Sequence, residues 1–406
     1  MERIVLAYSG GLDTSVAIPW LAERYGAEVV ALTLDLGQGK DLEDVRERAL
    51  KIGAVRAHVL DAREEFARDF VQPALSAGAV YEGQYPLATA LARPLIAKRL
   101  VEIARIEGAS AIAHGGTAKG NNQVRIEVAV RTLEPTLEVL APARSWGLSR
   151  SEELDYARTR GIPVPVTDDK LYSVDANLWG RSIKCGVLDD PWQEAPEDIF
   201  TITKAPADAP DTPAYVEIEF VRGVPVAING VSMTPAELIA SLETIAGGHG
   251  IGRIDIVENR LVGIKSREVY EAPAAVVLHA AHADLQRLVT SRELDRITTD
   301  LGVKYADLIY NGLWFSAARE AIDALVAKVQ ERVTGNVRVK LFKGECRVVG
   351  RTSPHSLYDV TLATYERGDA FDHTAAEGFV KIFGLPTEVE ARRGPAPAAP
   401  LAGVRK

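Results

Sequence analysis

The stretch that most constrains this chain is Arg3-Ile4-Val5-Leu6-Ala7-Tyr8, followed at once by Ser9-Gly10-Gly11-Leu12-Asp13-Thr14-Ser15. Ile4 to Ala7 is a short apolar run, the pattern of a strand buried on both faces. Two glycines follow, which permit backbone angles that other residues resist and let another backbone or a ligand come close. Asp13, Thr14 and Ser15 then open an amphipathic helical pattern through Val16, Ala17, Trp20 and Leu21. A strand, a glycine turn rich in hydroxyls and a helix N-terminus make an anion cradle, because backbone N–H groups point outward there and the helix dipole favours negative charge.

The string lacks the spacing and the lysine of G-x-x-x-x-G-K-[ST], and it is not the dinucleotide G-x-G-x-x-G. S-G-G-L-D-T-S resembles the pyrophosphate loop of the N-type ATP pyrophosphatases, which cleave ATP between its α- and β-phosphates and adenylate a carbonyl oxygen. Asp13 is the odd member, since a carboxylate beside a triphosphate is repelled. It fits if Mg2+ lies between them, or if Asp13 caps the helix. The alternative for the whole string is a tight strand-to-helix turn with Asp13 as N-cap.

Residues 1–165 alternate strand and helix patterns. Strands are expected at 28–34, 55–60, 110–114 and 137–140, and helices at 41–51, 63–75, 87–107 (interrupted by Pro94) and 151–159. Such alternation implies an α/β domain with a parallel sheet covered on both faces, and ligands beyond the carboxyl ends of its strands. From residue 166 to 386 the pattern changes to α+β. Loop-like segments stand at 164–169, 189–198 and 205–214, strands at 215–221 and 253–257, and helices at 235–245, 274–290 and 316–333. Thr234 is a plausible N-cap before Pro235, and 337–342 with 346–349 reads as an antiparallel pair. Residues 387–406 hold Pro395, Pro397 and Pro400 among alanines and read as a mobile tail without helical periodicity.

Bulk composition narrows the function classes. The net charge of −9 argues against a nucleic-acid partner, which calls for a basic surface. Only two cysteines occur, Cys185 and Cys346, in no metal-binding spacing, so neither a disulfide framework nor a zinc site is expected. No apolar run approaches the roughly 20 residues of a membrane span, and the first strand leaves no room for a leader segment. A cytoplasmic protein is expected.

A second loop follows the strand at 110–114: His114-Gly115-Gly116-Thr117-Ala118-Lys119-Gly120-Asn121-Asn122-Gln123-Val124-Arg125. Alone it could be a polar loop with a helix cap at Asn121 or Asn122. Beside the first cradle on one sheet edge, a substrate site is the better reading. Gly115 would let a nucleotide approach, Thr117, Asn121 and Asn122 supply neutral polar contacts, and Arg125 offers a two-point fork for a carboxylate.

S-G-G-L-D-T-S followed by H-G-x-T-x-K-G-N-x-Q-x-R resembles the argininosuccinate synthase family. Further strings stand in the family's order: Tyr85 to Pro94, Tyr172 to Ser182, Gly252 to Arg260, then Lys265-Ser266-Arg267 and Tyr270-Glu271. The resemblance spans residues 4 to about 360 and leaves out the Pro/Ala tail, which puts the family's subunit-clasping C-terminal helix in question. It implies an ATP-dependent ligase of arginine biosynthesis. Citrulline's ureido oxygen attacks ATP to give citrullyl-AMP and pyrophosphate, and the amine of aspartate then displaces AMP. It further implies that Ala7, Tyr8, Ser9, Gly10, Gly11, Leu12, Asp13, Thr14, Ser15, the backbone near Leu34, and Gly115 hold ATP. Tyr85, Thr89, Ala90, Asn121, Arg125, Ser173, Ser182, Glu258 and Tyr270 would hold citrulline, and Thr117, Asn121 and Asn122 would hold aspartate. Arg125 can take the citrulline carboxylate, and Glu258 its α-ammonium or the ureido N–H groups. Mg2+ would be held through the ATP phosphates, with Asp13 a candidate protein contact, and a homotetramer is implied. No general base is assigned, and His114 reads as a strand-end structural residue or nucleotide neighbour.

The chain departs from the family at Ala90, where Ser or Thr is usual, and at Asn122, where Asp is usual. Two other classes compete. A tRNA-thiolation type of pyrophosphatase calls for a basic surface and catalytic cysteines, and a non-catalytic nucleotide-binding regulator, of which Ala90 and Asn122 would be signs, is countered by the intact phosphate loop, Arg125 and Glu258.

Overall fold

The computed structural model describes residues 2–39, 41–163 and 172–394. The expected loop at 164–169 lies outside the described residues, as do residues 395–406 of the expected tail. Two compact units are present, residues 1–355 and 356–406.

The first unit opens with β1 (Arg3–Ala7), α1 (Leu12–Tyr25), β2 (Glu28–Asp35), α2 (Leu42–Ile52) and β3 (Arg56–Asp61). Asp41 caps α2 with its carboxylate, accepting from the N–H groups of Glu43 and Asp44. A helical stretch follows: α3 (Arg63–Glu65), six residues of wider π-helical turns (Phe66–Val71) and α4 (Gln72–Ser76). Next come α5 (Ala88–Glu107), β4 (Ala111–Ala113), α6 (Asn121–Leu133), β5 (Glu138–Leu140), α7 (Pro142–Ser145) and α8 (Arg150–Thr159). Pro94 lies inside α5 without ending it.

The five strands form one parallel sheet in the order β3-β2-β1-β4-β5. β1 is central, with Ile4 opposite Val29 on one side and Ala111 on the other. Ile4, Val5 and Leu6 are wholly buried, as a strand covered on both faces must be. The direction of sheet growth reverses at β1, which opens a crevice beyond its carboxyl end.

The rest of the unit is built on antiparallel pairing. β6 (Ser173–Asn177) and β7 (Gly180–Lys184) form a hairpin that the sequence patterns do not reveal. β8 (Ala214–Val221), β9 (Val224–Ile228), β10 (Val231–Ser232) and α9 (Pro235–Gly248) follow. Thr234 caps α9, and Glu237 returns a bond to the Thr234 N–H, a full capping box. Then come β11 (Arg253–Asn259), β12 (Lys265–Glu271), α10 (Pro273–Val289), α11 (Arg292–Tyr310), α12 (Ala317–Gln330), β13 (Gly335–Phe342) and β14 (Glu345–Thr352). One sheet runs β10-β9-β8-β13-β14 and another β11-β12-β7-β6.

Sheet register decides which side chains of the four-stranded sheet share a face. Ser173 stands opposite Lys184, Asp175 opposite Ser182, Ser182 opposite Tyr270, and Ser266 opposite Glu258. Side chains two apart on a strand point the same way. Ser173, Ser182, Tyr270 and Glu258 therefore lie on one face, although they come from strands far apart in the chain.

The second unit contains α13 (Val360–Ala363) and α14 (His373–Arg393). The expectation of a non-helical tail from residue 387 is corrected, because α14 runs through Arg393 and carries Pro386 inside it. Asp372 caps its start, accepting from the N–H groups of Thr374 and Ala375. Phe379, Ile382 and Phe383 are exposed along it.

Two histidines on α10 tie the first unit's stability to pH. His282 is buried, and its Nε2–H donates to Gln330 Oε1 at 2.8 Å, while Gln330 Nε2 donates to Ser76 O and Gln286 Oε1. Burial pushes His282 down to about 4, and burial with His282 beside it pushes His279 down to about 3. The unfolded chain protonates these rings below pH ~6.5, whereas the folded chain resists. Their contribution is thus present above ~6.5 and lost as pH falls toward 4. Denaturant midpoints measured at pH 6.5, 5.5 and 4.5 should fall, with each histidine adding at most about 1.4 kcal/mol per pH unit. His282→Gln should flatten this slope, and an equally steep variant would refute the assignment.

Candidate active site

The turn after β1 is built largely from its own polar groups. Gly10 sits at φ +73°, where a Cβ would also lie 3.2 Å from Val45. Its carbonyl accepts from Arg48 Nη1 at 3.0 Å, a contact with no signal in the sequence. Ser9 and Thr14 hydroxyls lie 3.1 Å apart, and Ser9 Oγ accepts from the Gly11 N–H at 3.3 Å. Tyr8 OH and Ser15 Oγ lie 3.1 Å apart, and the Tyr8 carbonyl accepts from Thr33 Oγ1 at 2.8 Å. These bonds hold the turn from Tyr8 to Ser15 in place.

Helix α1 begins at Leu12 with Gly11 as N-cap and no side chain capping it. Asp13 is the second helical residue, so the reading of Asp13 as N-cap is corrected. A glycine cap leaves the first N–H groups without a side-chain acceptor, the arrangement that receives an anion. Near Leu34, Gln38 folds back: its Nε2 donates to Leu34 O and its Oε1 accepts from Leu36 N–H, both at 2.7 Å. Gly37, at φ +85°, brings this loop against Leu178.

The second loop abuts the first. A Cβ on Gly115 would stand 2.9 Å from the Thr14 methyl, so the two strand ends converge and only glycine permits it. His114 is buried, its Nδ1 accepts from Gly116 N–H at 3.0 Å, and its Nε2 lies 3.4 Å from Glu127. His114 and Arg144 together hold the Glu127 carboxyl down to about 2. His114 thus serves as a strand-end brace. Thr117 is exposed, and its carbonyl accepts from Gly120 N–H at 3.1 Å.

Helix α6 has Gly120 as its N-cap and no capping side chain, so neither Asn121 nor Asn122 caps it. The asparagines instead face other elements. Asn121 Oδ1 accepts from Leu261 N–H at 3.0 Å, in the turn between β11 and β12. Arg260, in the same turn, donates to Lys119 O at 3.3 Å and pins the loop from outside. Asn122 Oδ1 accepts from Arg125 Nη1 at 3.5 Å.

Arg125 is buried, one helical turn beyond Asn121. Its Nε donates to Tyr310 O at 2.8 Å, and its guanidinium lies 4.6 Å from the centre of the Tyr310 ring. Its Nη2 is buried with no hydrogen-bond partner. Buried donors are seldom left so, because an unsatisfied one costs more than an ordinary bond returns, and a charged one costs more still.

Glu258 is buried in the same region and accepts from Tyr270 OH at 2.7 Å and Tyr310 OH at 2.6 Å. Burial pushes its carboxyl up, and the two phenols oppose that shift. Tyr85 stacks on Tyr270 with ring centres 4.2 Å apart, and its hydroxyl bonds Thr89 Oγ1 at 2.8 Å. Leu87 between them holds φ at +66°, which leucine resists. Trp179 Nε1 and Asn177 Nδ2 clamp the carbonyls of Pro86 and Ala88 on either side of it, each at 2.8 Å.

Of the citrulline candidates, Tyr85, Thr89, Arg125, Glu258 and Tyr270 are brought together through these contacts, and Ser182 stands opposite Tyr270. Ser173 shares the face but is exposed on the edge strand, and Ala90 is fully buried in the core. Tyr81 and Tyr310 were not legible as site residues, since each lies in an ordinary aromatic position of its segment. Among the described residues no group of three or more His, Cys, Asp or Glu side chains is placed to hold a metal ion. Among the same residues no helix is long and apolar enough to cross a membrane.

Comparisons with known proteins identify the family. The family model described as the arginosuccinate synthase N-terminal HUP domain matches residues 3–163, and that of the arginosuccinate synthase C-terminal domain matches 172–390. An argininosuccinate synthase of Symbiobacterium thermophilum is 60% identical over 96% of this chain and 98% of its own length. That of Gloeobacter violaceus is 57% identical over 96% and 98%, and that of Oceanobacillus iheyensis 54% identical over 96% and 94%.

The two glycines of the first loop should differ in their tolerance of a methyl group. Gly10→Ala meets both the positive φ and Val45, and Gly115→Ala meets Thr14, so each should weaken ATP binding about tenfold or more. Gly11, at φ −81° with a Cβ position 3.4 Å from Ser9 Oγ, should accept Ala with little loss. Calorimetric ATP titration of the three variants checks the order, and a Gly10→Ala affinity equal to wild type would remove the loop from the nucleotide site.

Proposed function

The chain belongs to the argininosuccinate synthase family, and we infer that it condenses L-citrulline with L-aspartate, converting ATP to AMP and pyrophosphate. The observation that carries the assignment of its site is Arg125, a buried guanidinium whose Nη2 has no partner, on the helix that follows the second glycine loop. A substrate carboxylate would complete it with a charge-assisted bond.

In the first step the ureido oxygen of citrulline bonds to the α-phosphorus of ATP and the bond to the β-phosphate bridge breaks, giving citrullyl-AMP and pyrophosphate. The N–H groups opening α1 after its Gly11 cap and the hydroxyls of Ser9, Thr14 and Ser15 hold the departing pyrophosphate, with Gly10 and Gly115 giving it room. Ala7, Tyr8, Leu12 and the backbone near Leu34 complete the nucleotide contacts. In the second step the aspartate amine attacks the ureido carbon and AMP leaves with the shared oxygen. Thr117, Asn121 and Asn122 hold aspartate. Tyr85, Thr89, Asn121, Arg125, Ser173, Ser182, Glu258 and Tyr270 hold citrulline, and Ala90 acts only by shaping the start of α5. Much of the rate then comes from positioning and from neutralising charge. Mg2+ would ride on the ATP phosphates and offset their charge beside Asp13.

Domains at 1–165 and 166–386, a cytoplasmic location and a homotetramer belong to the same proposal. The exposed Phe379, Ile382 and Phe383 on α14 support an assembly through that helix. A non-catalytic regulator and an RNA-modifying enzyme both predict no response to citrulline. Pyrophosphate release that requires citrulline, but not aspartate, separates them from the ligase.

Arg125→Lys should raise the citrulline KM about ten- to a hundredfold, because an ammonium cannot reproduce the planar fork. The ATP KM should change little. A larger effect on ATP would move Arg125 to the triphosphate.

Asn122→Asp should lower the aspartate KM about several-fold, since a charge-assisted bond to the ammonium is roughly twice as strong as a neutral one. Steady-state kinetics with each substrate varied decides it. A raised citrulline KM would mean that the new carboxylate pairs with Arg125, and an unchanged aspartate KM would remove residue 122 from the aspartate site.

A further inference from the structure

Helix α11 enters the site from a part of the chain that none of the sequence motifs touches. Its last residue, Tyr310, is fully buried and makes contact with both charged groups of the pocket. Its hydroxyl donates to Glu258 Oε1 at 2.6 Å, and its backbone carbonyl accepts from Arg125 Nε at 2.8 Å. Its ring is stacked on Tyr81 with centres 3.6 Å apart and planes 6° from parallel, and meets Tyr85 edge-on at 6.5 Å. Tyr81 is held in turn by a bond from its hydroxyl to Asn259 O at 2.7 Å, on the strand that carries Glu258. Just beyond, Gly312 stands at φ +79°, where a Cβ would lie 2.8 Å from the Arg125 Cα. The end of α11 is therefore pressed directly onto α6.

We propose that Tyr310 is a positioning residue for the amino-acid substrate, holding Arg125 and Glu258 apart as a preformed cation and anion for a zwitterion. This rests on the reading that those two side chains receive citrulline.

The physical reason is that oppositely charged groups buried together gain most by closing on each other, which would consume the fork and the carboxylate before substrate arrived. Tyr310 gives each group a neutral partner instead, a carbonyl for the cation and a phenol for the anion. Arg125 Nη2 is left unpartnered, and Glu258 keeps acceptor capacity beyond its two phenols. The groups around Glu258 are Tyr270 and Glu268 on β12, Tyr310 on α11, Arg125 on α6, and the Tyr81 and Tyr85 rings. Losing the Tyr310 phenol removes one of the bonds that favour the ionised carboxylate, so Glu258 should protonate at higher pH.

Tyr310→Phe keeps the ring, the stack on Tyr81 and the carbonyl, and removes only the hydroxyl. In citrulline-dependent pyrophosphate release it should raise the citrulline KM about ten- to a hundredfold and leave the ATP KM within about twofold. The acid limb of kcat/KM for citrulline should move to higher pH, which a merely structural role would not do. In a Glu258→Gln background, measured as citrulline Kd by calorimetry, Tyr310→Phe should add less than about twofold, because its partner charge is already gone. An unchanged citrulline KM with an unmoved acid limb overturns the inference. So does a full additional loss in the Glu258→Gln background. A wild-type protein that releases no pyrophosphate with citrulline overturns the functional reading itself, and this inference with it.

Discussion

The reversal of sheet order at β1 is the constraint from which the rest of this molecule follows. With β2 on one side and β4 on the other, connections from the two neighbouring strands leave in opposite directions, and their loops cannot fill the space beyond β1. The Ser9 to Ser15 turn and the Gly115 to Gly120 loop border that space. They approach so closely that the Gly115 backbone and the Thr14 methyl leave no room for a Cβ. Two helix N-termini without a capping side chain, α1 after Gly11 and α6 after Gly120, therefore follow the two converging loops. Their N–H groups and dipoles favour anions without any lysine of the Walker kind.

The second half of the first unit supplies what a parallel sheet edge cannot, a buried pair of opposite charges. Glu258 comes from a four-stranded antiparallel sheet, Arg125 from α6, and the link between them from the end of α11. Burying either charge alone would cost several kcal/mol. Two phenols on the carboxylate, and a carbonyl and an aromatic ring on the guanidinium, offset this cost only in part. The buried Nη2 without a partner marks where a carboxylate would do the rest. Tyr85 and Leu87, held by Trp179 and Asn177, close the same pocket from the start of α5.

Local patterns were legible wherever one face of an element is buried or one residue type caps it. The alternation in the first 160 residues gave the parallel sheet, Thr234 with Pro235 gave the start of α9, and the patterns at 337–342 and 346–349 gave the β13–β14 pair. They failed where neighbours decide. The β6–β7 hairpin carries few apolar residues and is held by pairing with β12, and α11 lies between two expected helices, in a stretch where none is expected. Asp13, Asn121 and Asn122 looked like caps because their side chains suit that role, yet a glycine precedes each helix and performs it. In α14, Pro386 and the exposed apolar residues hid a helix that runs through Arg393.

By itself the sequence determined the chemistry: a glycine loop after a buried strand, a second polar loop, and the ordered strings that set the family. Those properties are local, since backbone freedom, helix dipoles and side-chain charge belong to the residues themselves. Only the tertiary structure decided which of those residues meet. Ser182, Tyr270 and Glu258 share a face because β-sheet register puts them there, and register depends on pairing between distant segments. Arg125, Glu258 and Tyr310 meet because α11 ends against α6, a contact between residues 185 apart that no local pattern encodes.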